Sequence, residues 1–122
     1  MFTLTVRDHI MIAHSLPDPF FGPAQRLHGA TYEVETTWAR PVLDEHGVVM
    51  DIGMASGLLG QVLDGLRHRN LDEHPDFAGR LSTTEVIAQH VGERLAAAAA
   101  GIEGLERLTV TLRENPDAWA SY

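Results

Sequence analysis

The spacing of apolar residues switches from a period of two to a helical period and back again, which limits the folds open to this chain. Residues 2–14 alternate: Phe2, Leu4 and Val6 point one way, Thr3 and Thr5 the other. That is the pattern of a half-buried strand. Residues 15–27 hold Pro17, Pro19, Gly22 and Pro23 and read as a loop. A second strand is predicted from about His28 to Arg40, with Tyr32, Val34, Thr36 and Trp38 on one face. Asp44-Glu45-His46-Gly47 is a turn, and the short apolar run Val48-Val49-Met50 follows it.

The spacing then turns helical. Leu58, Leu59, Val62, Leu63 and Leu66 predict a helix from near Ile52 to near Arg67. Residues 69–81, with Pro75 and Gly79, form an irregular connector. Ser82-Thr83-Thr84-Glu85 reads as a capping box, in which the Ser82 hydroxyl accepts from the Glu85 N–H and the Glu85 carboxylate reaches back. The helix it opens buries Val86, Ile87, Val91 and Leu95 and stops near Gly101. Leu108 to Leu112 alternates again, Asn115-Pro116-Asp117 turns the chain, and Ala118 to Tyr122 begins a last, barely formed strand. The order ββααββ predicts one α+β domain over residues 1–122, an antiparallel sheet with two helices on one face. Its open edges and bare face make a barrel-forming oligomer the physical expectation.

Composition removes several classes of function. There is no cysteine, hence no disulfide, no thiolate ligand and no thiol nucleophile. The net charge of −8, with arginine as the only basic residue type besides histidine, disfavours nucleic-acid partners. No apolar stretch is long enough to span a bilayer, and the alternating start lacks the charged region of a signal peptide. A cytoplasmic protein without membrane partners is the expectation.

Chemistry concentrates in the histidines. His9 and His14 lie on the first predicted strand and His28 opens the second. A hairpin brings those strand ends together, and converging imidazoles suit a divalent metal such as zinc. The spacing of five between His9 and His14 puts them on opposite faces of a regular strand. A bulge would restore the parity and make His9 a third ligand. Otherwise His9 hydrogen-bonds at the strand edge beside Asp8. Taken alone, His14 and His28 read better as satisfied structural histidines than as ligands. His46, His74 and His90 read as turn or surface residues, and Trp38 and Trp119 as packing residues.

Several motifs share one order along the chain: Ala13-His14-Ser15-Leu16, Leu27-His28-Gly29-Ala30-Thr31-Tyr32, Val49-Met50-Asp51-Ile52-Gly53, His68-Arg69-Asn70-Leu71-Asp72, Ser82-Thr83-Thr84-Glu85 and Glu114…Tyr122. Together they resemble the 6-pyruvoyltetrahydropterin synthase / 6-carboxytetrahydropterin synthase family over nearly the whole chain. The resemblance implies a tunnelling fold, a barrel-forming homo-oligomer that is often a hexamer, and interface sites for zinc and a pterin. It implies metal ligation by His14 and His28, a pterin anchor at Glu114, and a pterin pocket lined by Thr83 and Thr84. It places His68 on a catalytic histidine.

The resemblance also marks departures. The second histidine of the family's His-Gly-His falls on Ala30, its catalytic cysteine on Ala24, and the aspartate before its catalytic histidine on Arg67. Alanine cannot act as a base, and a cation beside His68 disfavours its imidazolium. Two readings follow. One is a zinc-dependent lyase or isomerase on a pterin such as a dihydroneopterin triphosphate, with His68 moving protons. The other is a non-catalytic pterin-binding or assembly subunit.

Overall fold

The computed structural model describes all of residues 1–122. Strand β1 (Phe2–His14) and strand β2 (His28–Arg40) form a long hairpin. Helix α1 (Ile52–Asp64) and helix α2 (Thr84–Ala98) follow, then strands β3 (Arg107–Asn115) and β4 (Ala118–Ser121). The sheet is antiparallel throughout, in the order β1-β2-β3-β4. The expected ββααββ architecture is the observed one. No helix is long and apolar enough to cross a membrane.

Alternation along the strands sorts the two faces. Val6, Ile10, Ile12 and His14 of β1, and Tyr32, Val34, Thr36 and Trp38 of β2, are buried on the inner face. Leu59 and Leu63 of α1, and Ile87, Val91 and Leu95 of α2, pack against them in one core. The other face carries no helix and is polar. Arg7 and Arg113 both bond Glu35, at 2.9 and 3.1 Å, and Thr5 bonds Thr37 at 2.8 Å. Glu35 is held below the usual carboxylate range, chiefly by Arg113.

Three local features differ from the sequence expectation. The loop after β1 is not wholly irregular, because Pro19–Gln25 makes a tight 3-10 turn entered through Asp18, whose carboxylate accepts from Phe20 N. The connector likewise contains 3-10 turns at Leu71–Glu73 and Pro75–Phe77. The cap of α2 is Thr83 rather than Ser82: the Thr83 hydroxyl accepts from Val86 N at 3.2 Å. No capping box forms, because the Ser82 side chain is turned inward and used elsewhere.

The edge of β1 is partly covered. His68 N donates to Met11 O (2.8 Å) and Ala13 N to Arg69 O (3.0 Å), so the chain after α1 runs beside the last residues of β1. Arg67 fastens this seam. Its guanidinium donates to His9 O and to Asp8 Oδ2, each at 2.6 Å, and to Asp64 Oδ1 at 2.9 Å.

Candidate functional site

His14 closes β1 and His28 opens β2, and the two are direct cross-strand partners. Their ring centroids lie 4.6 Å apart, edge to face. His14 is buried, and its Nδ1 lies 3.0 Å from the Ser82 carbonyl and 3.0 Å from Ser82 Oγ. His28 Nδ1 lies 2.7 Å from the Arg26 carbonyl. A carbonyl oxygen can only accept, so both rings carry their proton on Nδ1 and both Nε2 lone pairs are free. Metal-ligating histidines are oriented by this kind of outer hydrogen bond. Burial holds the His14 imidazole below its ordinary value, and the neighbouring His28 adds to that, so the neutral, ligating form is favoured.

The start of α2 backs this pair. Ser82 is 3% exposed. Its carbonyl and hydroxyl face His14, while the next residue, Thr83, caps the helix. Ser15 N and Oγ both donate to Asp72, at 3.0 and 2.6 Å, which ties down the chain just past His14. Tyr32 is fully buried nearby. Burial pushes its phenol up to about 12; the Thr84 hydroxyl opposes this, and the Glu114 and Glu85 carboxylates reinforce it. Tyr32 Oη approaches Thr84 without forming a well-shaped hydrogen bond, so it keeps spare bonding capacity.

Glu114 stands at the same end of the sheet, across β2 from His14. Arg113 pairs with Trp119 and Asn115 with Ala118, which leaves Glu114 as the unpaired residue of a β-bulge. Bulges re-aim side chains and are common beside active sites. Here Glu114, Thr84, Glu85, Ala118, Trp119 and Ala120 line a cleft of about 100 Å³. Glu114 is exposed in the single chain, not enclosed. Trp119 is 55% exposed, and its ring lies 4.3 Å from the Arg113 guanidinium carbon.

The remaining candidates are not gathered here. The β1–β2 register runs unbroken from Phe2↔Arg40 to His14↔His28, so there is no bulge between His9 and His14. His9 therefore faces away from His14. Its N–H donates to Asp8 Oδ1 at 2.8 Å, and its exposed ring lies 4.0 Å from the same oxygen. His68 has an exposed side chain with no hydrogen bond, and it is the one non-glycine residue with left-handed backbone, φ 56°. No three His, Cys, Asp or Glu side chains of the chain are arranged to hold a metal ion. The pair His14–His28 fits two positions of a metal site and stops one donor short of the usual three.

Four contributors escaped the sequence reading. By sequence alone Ser82 and Glu85 read as the two halves of a capping box, Trp119 as packing, and Tyr32 as a residue of the inner strand face. A tryptophan two residues past the Asn115-Pro116-Asp117 turn is the sequence signal available for Trp119. Nothing local signals that Ser82 meets a residue 68 positions away.

A family model described as 6-pyruvoyl tetrahydropterin synthase matches residues 3–122. The 6-carboxy-5,6,7,8-tetrahydropterin synthase of Bacillus subtilis (strain 168) is 31% identical over 126 residues, covering 99% of this chain and 84% of that protein. The structure of Caenorhabditis elegans 6-pyruvoyl tetrahydropterin synthase superposes with a TM-score of 0.87 at 26% identity, over 99% of this chain and 94% of that one. The Plasmodium falciparum 6-pyruvoyl tetrahydropterin synthase has the same fold, with a TM-score of 0.81 at 17% identity over 99% of this chain and 96% of that one.

Proposed function

The chain belongs to the 6-pyruvoyl tetrahydropterin synthase family, and on that footing we propose a metal-dependent lyase or isomerase acting on a pterin with a hydroxylated side chain, of the dihydroneopterin triphosphate type. The observation that carries this reading is the pair of histidines whose Nδ1 atoms are tied to carbonyls while both Nε2 atoms stay free. In this proposal zinc is held by His14 and His28, with a third donor from outside the pair. When bound, the metal polarises the oxygens of the substrate side chain.

The chain's own residues do the rest. Glu114 accepts from the 2-amino group and N3–H of the ring, two donors meeting two acceptor oxygens. Thr84 offers its hydroxyl at the ring edge, whereas the Thr83 hydroxyl is occupied as the helix cap. His68 is assigned proton transfer, since its imidazole has no internal partner. The Arg67 guanidinium beside it is engaged by Asp8, Asp64 and the His9 carbonyl. The cleft is small and open, and we assign its completion to a second copy, in a homo-oligomer that joins sheet edges at β1 and β4 and is a hexamer by family analogy. The proposed setting is the cytoplasm, without nucleic-acid or membrane partners.

One observation favours a second reading, a non-catalytic pterin-binding or assembly subunit: neither Ala24 nor any side chain bonded to the histidine pair supplies a strong base. The deciding experiment combines zinc analysis of untagged protein with a pterin assay. About one zinc per chain with turnover of dihydroneopterin triphosphate supports the enzyme. Pterin binding without turnover supports the second reading, and neither metal nor pterin binding overturns both.

A further inference from the structure

A second polar cavity, of about 480 Å³, opens between α1 and α2. Only one of its nine lining residues is hydrophobic, and Arg69, His74, Asp76, His90 and Arg94 are among them. His90 and Arg94 lie six and ten residues beyond Thr84, roughly 9 and 15 Å further along the helix axis. The cavity shares no residue with the Glu114 cleft. Neither the histidine pair nor the pterin reading uses it.

His74 is its scaffold. Its Nε2–H donates to the Gly65 carbonyl at 3.2 Å and its Nδ1 accepts from Asp76 N at 3.1 Å, so both ring nitrogens are spent. It caps the 3-10 turn Pro75–Phe77, in keeping with the reading of a turn or surface residue, and is 7% exposed. The other groups have donors left. Arg69 spends Nη1 on the same Gly65 carbonyl and keeps Nε and Nη2. Arg94 spends Nη2 on Asp76 and keeps Nε and Nη1. His90 is half-buried, stacks against Phe77 with ring centroids 4.9 Å apart, and bonds through neither nitrogen. Asp76 keeps Oδ1 as a free acceptor.

Two guanidinium forks and an unpartnered imidazole around one polar cavity form a donor set for an oxoanion. The protein's net charge of −8 makes this a local arrangement and not part of a general basic surface. We propose that this cavity binds a small hydroxylated phosphate ester, with Arg69, Arg94 and His90 on the phosphoryl oxygens and Asp76 accepting from a hydroxyl. The cavity volume falls within the range of small-molecule sites. Burial and Arg94 hold His90 below its ordinary value, His74 and Arg80 add to that, and Asp76 opposes it. A bound dianion opposes that shift and favours a proton on the ring.

The test follows the His90 ring by NMR in the full-length protein, titrated with inorganic phosphate and with glycerol 3-phosphate. The expected result is a saturable shift of His90, with its titration midpoint raised by about one unit. Arg94→Gln and Arg69→Gln each weaken both probes about tenfold or more, with circular dichroism unchanged. Glycerol 3-phosphate binds tighter than phosphate, and Asp76→Asn removes that preference. No His90 response to either probe overturns the site, as does wild-type affinity in both arginine variants. Equal binding of the two probes overturns the hydroxyl contact and reduces the ligand to free phosphate.

Discussion

His14 and Glu114 sit at the same end of one sheet, two strands apart, and one is buried while the other faces solvent. His14 has a carbonyl, a hydroxyl and a second imidazole around it, all from the same chain. Glu114 stands on a bulge beside a short strand, in a shallow cleft walled by Trp119 and the first turn of α2. The histidine pair, to which we assign the metal, is thus organised when the chain folds. The Glu114 cleft, to which we assign the ring, is open in the single chain. Losses in the two halves should therefore be separable.

The largest effect belongs to His14. His14→Ala removes a proposed ligand and leaves the buried Ser82 groups unpaired, so zinc is expected to fall to background. Folding stability drops by about 2–3 kcal/mol through lost hydrogen bonding and packing. Metal analysis and urea unfolding measure both, and a fully stable variant would break the contrast. Glu114→Gln comes next. It weakens pterin binding about tenfold or more by calorimetry, while zinc content and melting temperature stay at wild-type values. A fall in melting temperature would show that Glu114 also holds the fold.

A smaller effect is expected with pH in the metal-free protein. Burial depresses both His14 and His90 below the ordinary 6.5. As pH falls below that value the unfolded chain takes up protons first, so stability declines and then levels off once the folded histidines also protonate. His14→Gln and His90→Gln should each flatten part of the slope measured by unfolding between pH 7 and 5. The smallest effect belongs to His9. His9→Ala should leave zinc unchanged and stability within about 0.5 kcal/mol. Loss of zinc in that variant would mean that His9 reaches a metal site in the assembly.

The strands were legible because β1 and β2 alternate without interruption and then pair in one register. The same alternation argued against a bulge near His9, since Val6, Ile10, Ile12 and His14 keep one parity and all are buried. The bulge lies instead at Glu114, where pairing depends on the short β4 and on no local pattern. The start of α2 was misplaced by one residue for a similar reason. Ser82 and Thr83 are equivalent caps by local rules, and only the distant His14 decides between them. The His14–His28 pairing followed from the hairpin. No third donor beside the pair emerges from this chain's own fold.

Glu114 is the extra residue of its hairpin, so the cleft depends on chain length as well as on residue type. Losing one residue between Arg113 and Ala118 lets the β3–β4 ladder close in step, with Arg113 still opposite Trp119, and removes the bulge that aims Glu114. A deletion of a single codon, at Asn115 for example, would then re-aim Glu114 while every residue that lines the cleft is still encoded.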